Sequence, residues 1–251
     1  MTYKDCWYNS VCSKYNTREC SSMCIRYTEM LNMMKYSGIP KNLYGTQSLY
    51  LPNVDIEAYT ILLNIKDNIK DFVQNGNNLY IFSKVTGNGK TTWGIKLLQS
   101  YFNSVWLGNG LRLRGFFIPT QAFLLDKKNA ISGNTSEDSK LFSVTDSFGH
   151  NLLTTKNLIN CDIIVWDDFL LNNISPYDYA NIFAIIDQRY LNGKTNIFTA
   201  GGSLEELDNV YGSCISSRIA MNCTVVEFKA IDYRAMTLKR NAEGQGAGLN
   251  G

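Results

Sequence analysis

One short loop limits what this chain can fold into. Gly87-Asn88-Gly89-Lys90-Thr91-Thr92 follows the apolar run Leu79-Tyr80-Ile81-Phe82 and leads straight into a helix-like stretch from Thr92 to Phe102. Glycines let the backbone curl until several N–H groups point inward at phosphate oxygens. The helix that follows presents its positive N-terminal end to the same charge. In such a unit Lys90 reaches the β and γ phosphates of a nucleotide and the Thr91 hydroxyl ligates Mg²⁺. Gly87, Asn88, Gly89 and Thr92 complete the cradle. One position departs from the G-x-x-x-x-G-K-T pattern, because Lys84 stands where the first glycine belongs. A residue with a side chain is thus expected to take the loop's opening turn.

A second element agrees with the first. Cys161-Asp162-Ile163-Ile164-Val165-Trp166 reads as a central strand, and it ends in Asp167-Asp168. Asp167 at the strand end is the candidate carboxylate that holds Mg²⁺ through water. Asp168 is the candidate general base for an attacking water. Together with the loop these acids point to Mg-ATP.

The rest of the chain alternates strand and helix. Gly115 to Pro119, Thr195 to Thr199 and Thr224 to Phe228 read as strands. Thr120 to Lys127, Pro176 to Tyr190 and Ser203 to Val210 read as helices. Such alternation implies an α/β fold with a parallel sheet covered by helices on both faces. Ahead of the sheet, helical spacing runs from Ile25 to Met34. It runs again from Asp55 to Val73, with Ile56, Tyr59, Leu62, Leu63, Ile65, Ile69 and Phe72 on one face. Asn129 to Asp138 reads as a loop. The tail after Arg240 carries too little apolar surface to order itself.

Length and composition set outer bounds. The 251 residues suit one full α/β domain with a small appendage, and 45% apolar residues suit a buried core. Net charge is only +2, so any nucleic-acid contact needs a local basic patch. No apolar run approaches the roughly 20 residues that span a bilayer. The N-terminus has no signal pattern, so a soluble, intracellular protein without membrane partners is expected. Seven cysteines in a reducing compartment then favour metal binding or burial over disulfides. Four of them, Cys6, Cys12, Cys20 and Cys24, crowd the N-terminus and offer soft ligands for one tetrahedral Zn²⁺. Free or buried thiols are the alternative. Cys161, Cys214 and Cys223 read as packing residues. His150 is the only histidine, which leaves no basis for histidine catalysis.

The ordered set of segments resembles the AAA+ ATPases, and more narrowly the bacterial and phage replicative helicase loaders of the DnaC type. The resemblance rests on the loop and acid pair, on Phe116-Phe117-Ile118-Pro119-Thr120-Gln121-Ala122-Phe123-Leu124-Leu125, and on Ile185-Ile186-Asp187-Gln188-Arg189-Tyr190 with Gly193 to Thr199. Ser216-Ser217-Arg218-Ile219 and Ile231-Asp232-Tyr233-Arg234 extend it. It implies an arginine finger at Arg218 reaching a neighbouring subunit's γ-phosphate, a second sensor at Arg234, and a water-orienting role for Thr199. Where the family often has an Asn, this chain has Gly201, so slow hydrolysis is expected. The resemblance also implies a cytoplasmic protein of a bacterial or phage-infected cell that forms homo-oligomers on a replicative DNA helicase. Residues 1–36 would grip the helicase, 37–54 would be a linker, 55–240 the ATPase domain and 241–251 a disordered tail.

Arg112 and Arg114, flanked by Trp106 and Phe116, are the candidate contacts to single-stranded DNA, with Lys127 and Lys128 nearby. Two other readings share these residues. One is a transposition helper ATPase of the IstB type. The other is a non-hydrolysing, ATP-binding interaction module.

Overall fold

A computed structural model describes residues 6, 12–21, 24–44, 53–105, 114–132, 141–230 and 232. Arg112, Arg234, Trp106 and the tail 241–251 lie outside them, as does part of the 37–54 segment.

Five strands form one sheet: β1 (Asn78–Phe82), β2 (Gly115–Pro119), β3 (Ile163–Asp167), β4 (Thr195–Ala200) and β5 (Cys223–Glu227). Their order is β2-β3-β4-β1-β5, and every pairing is parallel. The three central strands are buried almost throughout, which explains their near-continuous apolar runs. β5 is an edge, with Val225 partly exposed.

Alternate residues of each strand face opposite sides. Leu79, Ile81, Phe117, Ile163, Val165, Ile197 and Val226 share one core with α1 (Ile25–Lys35), α2 (Ile56–Asp67), α3 (Ile69–Gln74) and α4 (Lys90–Val105). Tyr80, Phe116, Ile118, Ile164, Trp166, Phe198 and Ala200 share the other core. That face is covered by α5 (Thr120–Ile131), α6 (Thr155–Asn160), α7 (Pro176–Leu191), α8 (Leu204–Tyr211) and α9 (Ser213–Ala220). The α/β fold expected from the alternation is therefore present.

Three expectations are corrected. The stretch read as one helix from Asp55 to Val73 breaks at Asn68, whose side chain turns back to donate to the Asn64 carbonyl at 3.0 Å. Tyr59, Leu62 and Ile65 of α2 and Ile69 and Phe72 of α3 lie in the core, while Ile56 and Leu63 of α2 are exposed. Second, α1 is not part of a separate module. Met30 and Met34 are fully buried, and α4 holds the segment through Gln99, whose Nε2 donates to the Leu43 carbonyl at 2.9 Å. The first residues of the expected linker belong to the sheet edge, because Phe117 N–H of β2 donates to the Ser37 carbonyl at 2.8 Å. Third, Cys214 is exposed, whereas Cys161 is buried and Cys223 half-buried.

The N-terminal cysteines do not gather either. Residues 12–20 form successive turns, with Tyr15 N–H donating to the Cys12 carbonyl and Cys20 N–H to the Thr17 carbonyl. Among the described residues, which include Cys6, Cys12, Cys20 and Cys24, no group of three or more His, Cys, Asp or Glu residues could hold a metal ion. The thiols therefore do not fit the expected Zn²⁺ site. Among the same residues, no helix is long and apolar enough to cross a membrane.

Candidate functional site

In open parallel sheets the crevice outside the carboxyl ends of the strands is where ligands bind. Here the carboxyl ends of β1, β3 and β4 bring the expected residues together. The loop after β1 turns on Gly87 (φ 71°) and Gly89 (φ 96°), both in the left-handed region that glycine adopts freely. Lys84 is not among the residues with positive φ, so the opening of the loop needs no glycine. Its ammonium instead leans out to Glu206 of α8 at 3.2 Å. The departure from the usual pattern thus costs the loop nothing in backbone conformation.

Inside the loop the polar groups are tied together. Asn88 is buried, and its Nδ2 donates to Ser83 Oγ at 2.6 Å. Lys90 Nζ donates to the Val85 carbonyl at 3.0 Å and to Asn88 Oδ1 at 3.2 Å. The ammonium is therefore folded into the loop's concavity, where phosphate oxygens would replace these acceptors. The helix α4 comes close to the sheet at Gly94, where a Cβ would lie 2.8 Å from Val165 Cγ1 of β3. That close approach brings Thr91 against the end of β3.

Asp167 is the hub. Its Oδ1 accepts from Thr91 Oγ1 at 2.8 Å and from Thr199 Oγ1 at 2.6 Å. Its carbonyl accepts from Thr120 Oγ1 at 2.8 Å. Three threonines from α4, β4 and α5 thus fix one aspartate at the end of β3. Burial pushes the Asp167 carboxyl above the ordinary aspartate range; the threonine hydrogen bonds pull the other way, and nearby Asp168 adds to the rise. Hard oxygen donors of this kind suit Mg²⁺. Thr91 Oγ1 and Asp167 Oδ1 are hydrogen-bonded at 2.8 Å, so one ion would be within reach of both, directly or through water. The residues present therefore fit Mg²⁺.

Asp168 is exposed and sits at φ 49°, a left-handed conformation that aspartate tolerates better than most residues. Its N–H donates to Thr199 Oγ1 at 3.0 Å, and the next N–H, of Phe169, donates to the Thr199 carbonyl at 2.8 Å. The end of β4 thereby turns the Asp168 side chain out of the sheet. It opens onto a cavity of about 410 Å³ lined also by Gln121, Lys128, Asn172 and Asp178. Thr199 is fully buried, with its hydroxyl engaged by Asp167 and Asp168. Its hydroxyl positions the two acids, where the sequence suggested contact with water. Gly201 is exposed, and a Cβ there would meet nothing within 4 Å.

Arg218 does not join this group. Its Nε donates to Asp187 of α7, its Nη1 donates to the Cys214 carbonyl at 2.7 Å, and its guanidinium lies 4.9 Å from the Phe183 ring centroid. Its own carbonyl lies 3.5 Å from Asn78 Nδ2, at the start of β1, whereas the phosphate loop follows the end of that strand. A five-residue strand separates the two by well over about 10 Å, so Arg218 cannot serve its own chain's site.

Arg114 also stands at the opposite end of the sheet. It pairs with Asp162 at 3.1 Å, and Lys194 and the Tyr101 hydroxyl share the same carboxylate at 3.2 and 2.9 Å. Burial works against the ionised Asp162 carboxyl, but these three donors hold it below the ordinary range. Arg114 thus closes a partly buried ion cluster at the strand starts. Lys128 is paired with Asp178 at 2.5 Å, and Lys127 lies over the Phe123 ring.

Two features of the site are not legible from local sequence. Thr120 reads as a helix start and only the fold places it on Asp167. Asp232, far along the chain, returns to the phosphate loop at Thr86 and Gly87.

No protein-family model matches the sequence, and no curated protein does. Solved structures do. The crystal structure of the DnaC helicase loader is similar with a TM-score of 0.57 and 19% identity, over 76% of this chain and 100% of that one. DnaI is similar with a TM-score of 0.53 and 12% identity, over 79% and 98% of the two chains. Domain III of the Thermotoga maritima replication initiation protein DnaA gives 0.51 and 16%, over 73% and 66%. These likenesses are of fold: a five-stranded parallel sheet with helices on both faces, with the phosphate loop after β1 and the acid pair at the end of β3.

Proposed function

We propose that the protein is an ATP-dependent loader of a replicative DNA helicase, acting through a Mg-ATP site at the Gly87–Thr92 loop. The observation that supports this reading most is the convergence of Thr91 and Thr199 on one half-buried oxygen of Asp167. That oxygen and the Thr91 hydroxyl would hold Mg²⁺, which when bound neutralises charge on the phosphates. Lys90 would exchange Val85 and Asn88 for phosphate oxygens. Asp168, fixed by Thr199 and exposed, would accept the proton of the attacking water. Arg218, placed at the far end of the strands, would act only on a neighbouring copy, which makes full activity depend on assembly.

The likeness in fold to the DnaC helicase loader supports a helicase as the partner, and the basic residues beside aromatics favour single-stranded DNA as the second one. In this reading Arg112 and the N-terminal segment are the contacts to DNA and helicase. Phosphate release measured with and without the helicase of the same genome and single-stranded DNA tests it. Stimulation that disappears in Asp168→Asn is expected; no stimulation by either partner would remove the loader reading.

A non-hydrolysing nucleotide switch is the second reading. It is favoured by Gly201, which offers no polar side chain beside the acids, and by the commitment of the Thr199 hydroxyl to Asp167 and Asp168. Bound ATP that persists unhydrolysed in the assembled complex would select it.

A further inference from the structure

Asp232 lies just past β5, the neighbour of β1, and meets the phosphate loop that follows β1. Thr86 Oγ1 donates to Asp232 Oδ2 at 3.4 Å. A Cβ built on Gly87 would lie 1.8 Å from Asp232 Oδ1 and 2.3 Å from its Cγ. The carboxylate therefore packs against the bare Cα of Gly87, where only hydrogen fits. This second demand on Gly87 is independent of its φ of 71°.

A loop whose glycines turn successive N–H groups inward attracts an anion. Here the chain brings a carboxylate of its own to the loop, against the Thr86 hydroxyl and the Cα of Gly87. The carboxylate needed for Mg²⁺ is already present in Asp167, which is fixed by Thr91 on the α4 side of the loop. Asp232 has no place in that set. It brings a negative charge to the loop that would carry the nucleotide's own negative charges, and like charges this close disfavour one another.

We infer that Asp232 sets the nucleotide affinity of the site: its carboxylate competes with the phosphates for the Thr86–Gly87 part of the loop. The inference rests on the reading of the loop as a nucleotide site. Two consequences follow from the geometry. Affinity for ATP is held below what the loop alone would give. Nucleotide binding also displaces Asp232 from Gly87, so the position of this carboxylate reports whether the loop is filled.

The test is the dissociation constant of a fluorescent ATP analogue with Mg²⁺, measured on the full chain, on Asp232→Asn and on Asp232→Ser, at low and high salt. Both variants are expected to bind roughly tenfold tighter than the unmodified chain at low salt. The gap should narrow at high salt, since exposed charges are screened there. Unchanged or weaker binding by both variants overturns the inference. Adding Lys90→Ala to Asp232→Asn separates this result from the underlying reading. If that double variant still binds, the loop is not the nucleotide site. If it loses binding while Asp232→Asn alone matches the unmodified chain, the loop reading stands and the role of Asp232 falls. Binding by Asp232→Asn where the unmodified chain shows none supports the inference in its strongest form, and binding by neither overturns both.

Discussion

Thr199 Oγ1 lies 2.6 Å from Asp167 Oδ1 and donates to the same oxygen that accepts from Thr91. One half-buried carboxylate thereby joins β4 to the first turn of α4, and the same hydroxyl accepts from Asp168 N–H. Thr199→Val keeps the shape and removes the hydroxyl. Two hydrogen bonds are lost, one to the half-buried Asp167 carboxylate and one from Asp168 N–H, at a total cost of about 1–3 kcal/mol. Chemical denaturation should register that loss. Nucleotide turnover should fall further than nucleotide binding, because the acids rather than the loop lose their support.

The Asp167 carboxyl titrates above its ordinary value of 3.8, chiefly because it is buried. For an acid whose folded pKa is raised, the folded state favours the protonated form. That contribution to stability is complete below the unfolded pKa and is lost as pH rises through the folded one. At neutral pH, without nucleotide or metal, the ionised Asp167 therefore costs stability. Asp167→Asn keeps an acceptor for both threonines and removes the charge. It should unfold at a higher temperature than the unmodified chain at pH 7, with the difference shrinking as pH falls toward 4. A variant less stable at pH 7 would contradict this assignment.

Arg189 is fully buried and serves as a clamp at the starts of the strands. Its Nε donates to Asn196 Oδ1 at 2.7 Å, and its Nη1 donates to the carbonyls of Leu158 and Cys161 at 2.6 and 2.9 Å. Burial lowers its pKa from the usual arginine value, yet no carboxylate touches it among the contacts above. Arg189→Ala leaves several buried acceptors without donors. A loss of about 3–5 kcal/mol is expected, the scale of breaking a buried charged network. Urea unfolding of the variant, or its failure to accumulate in soluble form, is the check.

Arg218→Ala separates folding from assembly. Asp187 and the Phe183 ring hold the guanidinium in the single chain, partly exposed, so its removal should cost no more than about 1 kcal/mol. ATP affinity of the isolated chain should not change, because the residue lies at the other end of the strands. Hydrolysis in the presence of the helicase should fall by about a thousandfold if the residue completes a neighbour's site. Equal loss at all protein dilutions would argue against a role between subunits.

The sheet and the core of the site were legible because they rest on local signals. Glycines before a lysine and threonine, and an apolar run closing on two acids, each carry their chemistry within a few residues. The rest depends on partners distant in sequence. Arg114 looks like a free basic residue beside aromatics until the fold brings Asp162, Tyr101 and Lys194 to it. The periodicity of α1 shows an apolar face but not what covers it, and that cover is α4. In α2 and α3 the spacing counts Ile56 and Leu63 with the buried face, but within α2 only Ala58, Tyr59, Leu62 and Ile65 face the core. The four N-terminal cysteines carry the right atoms for zinc without the convergence that a metal requires. Asp232 gives no sign of its contact with Gly87 at all, since only tertiary structure joins residues that far apart.

The measurement closest to the central claim is calorimetric titration of the full chain with ATP and Mg²⁺, alongside Lys90→Ala and Thr91→Ala. A single site per chain is expected, lost in Lys90→Ala and losing its Mg²⁺ dependence in Thr91→Ala. ATP binding that survives both substitutions unchanged would place the nucleotide elsewhere and contradict the account.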